Sequence, residues 1–345
     1  MIDERLGKQV TGEGYGGGIL ANGGSLANLT VLIAARTRLA PEVWSDGNPS
    51  DLALLAPAEA HYSIARAAGI MGLGQRAVYP LDVDNRGVIL PNRLPAAYAR
   101  VEADGKRVVA LIANAGSTAV GLYDPLHEIG TFCRERNVWF HVDGAHGGPA
   151  LLTKKYRHLM RGVELADSLV MNMHKLMRVT AFCTALLVRD ARTLDQAFTQ
   201  DASYLFYAKE QPGYDFLHRT IECTKPVLGL KFFMVLAALG EAGLAEYIER
   251  QFDLTAEVYD YFQGLEDFDC PVAPQSNILC FRVKGAGDGH LALRDRLLAR
   301  GNYYVSSALL HDQRCLRLTL TNPATGLDEI KGLVDEIRGL VAGEE

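Results

Sequence analysis

His141-Val-Asp-Gly-Ala-His-Gly-Gly148, followed downstream by Asn172-Met-His-Lys175, is the stretch on which the reading of this chain turns. Apolar Val138–Val142 leads into Asp143, and Ser168–Met171 leads into His174 and Lys175. Short apolar runs of this kind read as buried strands of a mostly parallel sheet. Two neighbouring strands would carry the carboxylate and the amine to the same sheet edge. A carboxylate to hold a protonated pyridine nitrogen and a lysine to form a Schiff base are the groups that pyridoxal phosphate requires.

Outward from this segment, short apolar strands alternate with amphipathic helices, the α/β signature of a mostly parallel sheet covered on both faces. Strands are expected at Leu52–Ala56, Val108–Ala113, Val138–Val142, Ser168–Met171 and Ala185–Val188. Helices are expected at Ser25–Arg38, His61–Ile70, Pro125–Arg136, Pro226–Leu239 and Leu244–Phe262. Near residues 265–275 the pattern changes to a strand at Asn277–Val283, a helix at His290–Arg300, a strand at Cys315–Leu320 and a helix from Leu327. Residues 1–265 are therefore expected to form a large domain and 266–345 a small α+β one. Asp201–Ile221 lacks periodicity and reads as a long loop, a feature that is more often functional than accidental.

The 345 residues are 48% hydrophobic and 22% charged, ordinary values for a globular enzyme. The formal charge of −6, with no Lys/Arg cluster, argues against nucleic acid as the main partner. Six scattered cysteines without a C-x-x-C pair suit a reducing compartment. Met1–Gly7 lacks the apolar segment of a signal peptide, and the longest apolar run, Phe232–Leu239, is too short to span a bilayer. A cytoplasmic protein without membrane contact is expected.

A lysine at a strand end is ordinarily a solvated charge. Lys175 earns another role from its place after His174 and beside the Asp143 strand, where desolvation would lower its pKa. Asp143 would keep the pyridine nitrogen protonated, and Ala145 would supply a flat face beneath the ring. The Gly-rich Gly14–Asn28 opens a helix, whose first N–H groups can cradle a phosphate; Gly24 and Ser25 are the expected contacts. Gly16-x-Gly18-x-x-Ala21 fits a dinucleotide spacing but follows the polar Met1–Thr11 and no strand. His61, at a helix start, would stack on the ring face opposite Ala145. A competing reading takes His141, Asp143 and His146 (H-x-D-x-x-H) as metal ligands of a hydrolase; it leaves Lys175 without a role, and no metal is expected.

Gly23-Gly-Ser-Leu-Ala-Asn-Leu29, His61, Ala115-Gly-Ser-Thr118 with Gly121-x-x-Asp124, His141–Ala145, Asn172-x-His-Lys175, Thr220-Ile-Glu-Cys223 and Arg317-x-x-x-x-Asn-Pro323 occur in one order. In that order the chain resembles the group II pyridoxal-phosphate-dependent amino-acid decarboxylases, over nearly its whole length. The resemblance implies fold type I, the PLP-dependent transferase-like fold. It implies Lys175 bound to the cofactor, Asp143 at its ring nitrogen, and Ala145 and His61 on either face. Gly24, Ser25, Asn172 and His174 would surround the phosphate, and Thr118 the phenolic oxygen. Arg317 would grip the substrate α-carboxylate. A loop tyrosine, Tyr214, would protonate Cα; Phe216 is the alternative occupant of that place, and phenylalanine there can turn relatives to aldehyde formation. The resemblance also implies a homodimer with active sites at the subunit interface.

Asn322-Pro323, Pro274-x-x-Asn277 and Tyr204-Leu-Phe206 resemble the glutamate, cysteine-sulfinate, aspartate and diaminobutyrate branch, so an acidic or short polar amino acid is the expected substrate. Two departures bear on efficiency and substrate choice: Leu176 follows the lysine where tryptophan is usual, and Lys225 replaces a usual arginine. The Gly-rich loop follows directly on Met1–Thr11, where members carry a longer segment, so a truncated form or an unusually open pocket is expected. A lyase of other outcome and a non-catalytic relative are the competing functions.

Overall fold

Every residue of Leu52–Pro57, Trp139–Asp143 and Ser168–Asn172 is buried, as strands covered on both faces must be. The computed structural model describes residues 16–198, 216–286, 289–310 and 312–343. In chain order the strands of the larger sheet are β1 (Gly17–Ala21), β2 (Leu52–Pro57), β3 (Val78–Leu81), β4 (Arg107–Asn114), β5 (Trp139–Asp143), β6 (Ser168–Asn172) and β7 (Thr184–Val188). They lie in the order β1-β7-β6-β5-β4-β2-β3. From β3 to β6 all pairs are parallel, while β7 and β1 add on antiparallel.

Successive residues of a strand serve opposite cores, because side chains alternate across the pleat. Phe140 and Val142 pack on one face with Leu111 and Ile129; Trp139 packs on the other with Val31, Leu32 and Ile112. Helix Gly24–Leu39 covers the second face and begins at the sheet edge where β5 and β6 end.

Two strands of the larger sheet lay outside the sequence expectation. β1 occupies the Gly-rich run, and the reason is steric: a Cβ on Gly18 would come within 2.2 Å of the Leu186 carbonyl oxygen on β7. The run thus divides into a strand, Gly17–Ala21, and a helix start at Gly23–Gly24. β3 contains Pro80 and sits at the sheet edge, where a missing N–H is tolerated.

A second sheet, ordered β10-β11-β9-β8, is antiparallel and comprises β8 (Phe268–Asp269), β9 (Ile278–Val283), β10 (Ser306–Leu310) and β11 (Gln313–Thr319). Its core joins Phe281, Leu316 and Leu318 to Leu293 and Leu297 of helix His290–Arg300 and to Leu333 and Ile337 of helix Leu327–Ala342. Val258 and Phe262, from the end of helix Leu228–Gln263, enter the same core.

That span, Leu228–Gln263, holds the two helices expected at Pro226–Leu239 and Leu244–Phe262, joined across a kink. Its backbone breaks at Gly240, with φ 66° and ψ 174°, close to the gap expected between Leu239 and Leu244. An 18-residue window in it has mean hydropathy 1.6, enough by length and composition to cross a membrane. The break divides that run: the part before it rises roughly 18 Å at ~1.5 Å per residue, short of a ~30 Å hydrocarbon layer.

Candidate active site

Parallel pairing of β5 with β6 sets Asp143 opposite Val170, so both strands finish at one edge. β6 runs directly into a short helix, Met173–Leu176, which carries His174 and Lys175. Gly24, Ser25, His61, Thr118, Asp143, Ala145, Asn172, His174 and Lys175 meet around one cavity of about 320 Å³. Arg317 lines an adjoining cavity of about 450 Å³, and His61, Tyr62 and Thr118 are common to both. Tyr214 lies outside the described residues; Phe216 is exposed and precedes the short turn Leu217–Arg219.

Asp143 is buried and acceptor-only when ionised. Its Oδ2 accepts from Asn28 Nδ2 at 2.9 Å and its Oδ1 from the Ala145 backbone N–H at 3.1 Å. Lys175 has its pKa lowered, chiefly because burial penalises the ammonium; Asp143 opposes the shift and Arg317 adds to it. An amine so placed surrenders its proton more readily than a surface lysine does. Burial also lowers the His61 pKa, against the pull of Asp143.

Helix Gly24–Leu39 begins after Gly23, at φ 102°, with no side chain capping its first N–H groups. A Cβ on Gly24 would stand 3.1 Å from both amide heteroatoms of Asn172, so glycine leaves a recess between them. Asn172 Oδ1 accepts from Thr184 Oγ1 at 2.7 Å, which leaves its Nδ2 as a donor. His174 is held through Nδ1 to the Cys183 backbone. An uncapped helix start, a glycine recess and an amide donor suit an anionic oxygen group such as a phosphate. Buried Asn114 Nδ2, another lining group, has no partner among the described residues. With Lys175 and Asp143 in the same cavity, these features fit pyridoxal phosphate.

Arg317 Nε donates to the Ala119 carbonyl at 3.0 Å and its Nη1 to Thr319 Oγ1 at 2.7 Å. Among the described residues it has no carboxylate partner within salt-bridge distance. A half-buried guanidinium without an acid beside it is a seat for an anion.

The three residues of the metal reading, His141, Asp143 and His146, each bond to other protein groups. His141 nitrogens bond to Ser168 and Asn28, and His146 Nε2 bonds to Asn277 Oδ1 at 2.6 Å. Burial holds both imidazoles neutral, with pKa values pushed down to about 4 for His141 and about 3 for His146. Among the described residues no group of three or more His, Cys, Asp or Glu could hold an ion.

Sequence reasoning missed Asn28, Ser63 and Asn114 as site residues, and named His146 only as a metal ligand. Asn28 stood inside the quoted Gly23–Leu29 motif, but a polar residue within a helix gives no sign of its partner across the sheet.

Residues 3–284 match the family described as the pyridoxal-dependent decarboxylase conserved domain. The acidic amino acid decarboxylase GADL1 of Mus musculus is 34% identical over 271 residues, 77% of this chain and 49% of that protein. The cysteine sulfinic acid decarboxylase of Mus musculus is 33% identical over 281 residues, 79% of this chain and 57% of that protein. The crystal structure of mouse CSAD superposes with a TM-score of 0.88 at 28% identity, covering 97% of this chain and 74% of the other. The chain spans about half the length of the curated relatives it matches. With Lys175 and Asp143 on one edge of a mostly parallel sheet, and this match over most of its length, the chain belongs to the pyridoxal-dependent decarboxylase family.

Proposed function

We propose that the chain decarboxylates an L-amino acid with an acidic or short polar side chain, releasing the amine and CO₂. The observation that carries the reading is the convergence on adjoining cavities of desolvated Lys175, Asp143 and Arg317, the last without a carboxylate partner among the described residues. Two relatives named as decarboxylases of acidic amino acids and of cysteine sulfinic acid support the substrate class.

When bound, pyridoxal phosphate supplies an electron sink for the pair released as CO₂ leaves. Lys175, whose amine burial makes easier to deprotonate, would be the group that holds the cofactor. Asp143 would hold the ring nitrogen's proton. Ala145 and His61 would confine the ring, and Gly24, Ser25, Asn172 and His174 would hold the phosphate. Thr118, exposed at the boundary of the two cavities, would donate to the phenolic oxygen. Arg317 grips the α-carboxylate and so orients the bond that breaks. Tyr214 is the acid proposed to protonate Cα.

The reading includes a homodimer in the cytoplasm. Val227, Leu230, Phe233 and Met234 are 73%, 53%, 57% and 63% exposed, an apolar face of the kind that subunits cover. The free cysteines support a reducing compartment. Division near residue 265 is supported by the separate core of the second sheet.

The test is the visible absorption of the purified chain with added pyridoxal phosphate, beside Lys175→Ala, followed by CO₂ release from aspartate, glutamate and cysteine sulfinate. A band lost in the variant, with amine as product, is expected. No band in either chain overturns the reading, and aldehyde with ammonia in place of amine overturns decarboxylation as the outcome.

A further inference from the structure

A chain of buried hydrogen bonds runs behind the cofactor cavity and ends on two of its walls. Trp139 Nε1 lies 2.8 Å from Ser168 Oγ, which lies 2.8 Å from His141 Nδ1. His141 Nε2 lies 3.1 Å from Asn28 Oδ1. Asn28 Nδ2 lies 2.9 Å from Asp143 Oδ2 and 2.9 Å from Ser63 Oγ. Ser63 Oγ in turn lies 2.8 Å from His61 Nδ1.

The directions follow from the Asp143 end. An ionised carboxylate only accepts, so the Asn28 atom facing Asp143 must be the NH₂ group. Asn28 Oδ1 then faces His141, which donates to it from Nε2–H and, being neutral, accepts at Nδ1 from the Ser168 hydroxyl. Ser168 in turn accepts from the Trp139 indole N–H, which only donates. The second N–H of Asn28 goes to Ser63, whose hydroxyl keeps a proton available for His61 Nδ1. The Ser63 backbone N–H, 3.3 Å from the same nitrogen, is likewise a donor. His61 therefore accepts at Nδ1 and keeps its proton on Nε2.

We propose that Asn28 is a positioning residue: its one amide clamps the Asp143 carboxylate and, through Ser63, sets the His61 ring as the Nε2–H tautomer. The group at the cofactor nitrogen and the group over the cofactor face are thereby held by one side chain. Asn28 itself is 1% exposed, and Trp139 and His141 are just as enclosed, so no water competes for these bonds. The inference rests on the cofactor assignment made above, but its central feature, the His61 tautomer, belongs to the protein alone.

The experiment uses the full chain with ¹⁵N-labelled histidine, His61 being assigned by comparison with His61→Gln. Two-bond ¹H–¹⁵N spectra of the cofactor-free protein are expected to show His61 as the Nε2–H form. Ser63→Ala removes the hydroxyl link between Asn28 and His61 but keeps the backbone N–H at 3.3 Å; it is expected to raise the Nδ1–H fraction of His61 without abolishing the Nε2–H form, while pyridoxal phosphate affinity stays close to that of the parent. Asn28→Asp keeps the shape and the bond from His141 but turns a second carboxylate oxygen on Asp143. It is expected to disturb the His61 tautomer and to weaken pyridoxal phosphate binding about tenfold or more. A Nδ1–H form in the parent, or a His61 spectrum unchanged in Ser63→Ala, overturns the proposal. Unchanged cofactor affinity in Asn28→Asp also overturns it. If the parent itself fails to bind pyridoxal phosphate, the cofactor assignment falls, while the His61 spectra still decide the network. Should Asn28→Asp not fold, Ser63→Ala remains decisive.

Discussion

The Thr184 hydroxyl donates to Asn172 Oδ1 at 2.7 Å across the antiparallel β6–β7 pair, and this bond decides which amide atom Asn172 offers to the cavity. Thr184→Val keeps the shape but leaves that buried oxygen without its donor, at a cost of about 1–3 kcal/mol. A lower urea midpoint and several-fold weaker pyridoxal phosphate binding are expected. Equal affinity by titration would show that Asn172 does not depend on Thr184.

Arg317→Lys retains the charge but not the planar fork. Arg317 Nε and Nη1 are engaged by Ala119 and Thr319, and the residue lines the second cavity. A fall in kcat/KM of about 10–100-fold is expected from losing a charge-assisted bond, with the cofactor band unchanged. Steady-state kinetics beside an absorption spectrum separate the two effects; loss of the band would assign Arg317 to the cofactor instead.

Burial is the chief reason why the Lys175 pKa lies below its usual value, with Arg317 lowering it further and Asp143 raising it. The amine must be neutral to capture the cofactor, so capture should accelerate as pH rises through that lowered pKa. Removing the positive neighbour in Arg317→Met raises the pKa and moves the acid limb to higher pH. Removing the negative one in Asp143→Asn moves it to lower pH. Stopped-flow absorbance across a pH series reads both shifts; movement of the two variants in the same direction would contradict the electrostatic account.

Gly18→Ala tests the edge of the sheet. The added methyl would meet the Leu186 carbonyl oxygen at 2.2 Å, too close for the β1–β7 pair to persist unaltered. A stability loss of about 1–3 kcal/mol is expected in chemical denaturation. A variant as stable as its parent would show that β1 contributes little to the sheet.

Most strands of the larger sheet could be read from the chain because buried parallel strands carry continuous apolar runs, as Leu52–Pro57 does throughout and Ser168–Asn172 does at Leu169–Met171. β1 could not, since its glycines satisfy a steric demand made by Leu186, a residue far away in sequence. Helix Leu94–Ala103, with a proline near its start and alanines through it, also went unread, for its buried face is only Leu94, Ala97 and Val101.

By itself the sequence determined which chemical groups are available and at which strand ends they stand: Asp143 after one apolar run, Lys175 after another, and Gly24 at a helix start. Local pattern suffices for that, because burial periodicity and chain termination of strands are short-range properties. Only the tertiary structure decided their partners. Asn28 and Asp143 are 115 positions apart, and their 2.9 Å bond exists because the helix bearing one begins at the sheet edge where the strand bearing the other ends. Arg317 reaches the site from a different sheet, through its bond to Ala119, 198 positions away. Such contacts depend on register, crossover and packing angle, which no stretch of residues encodes alone.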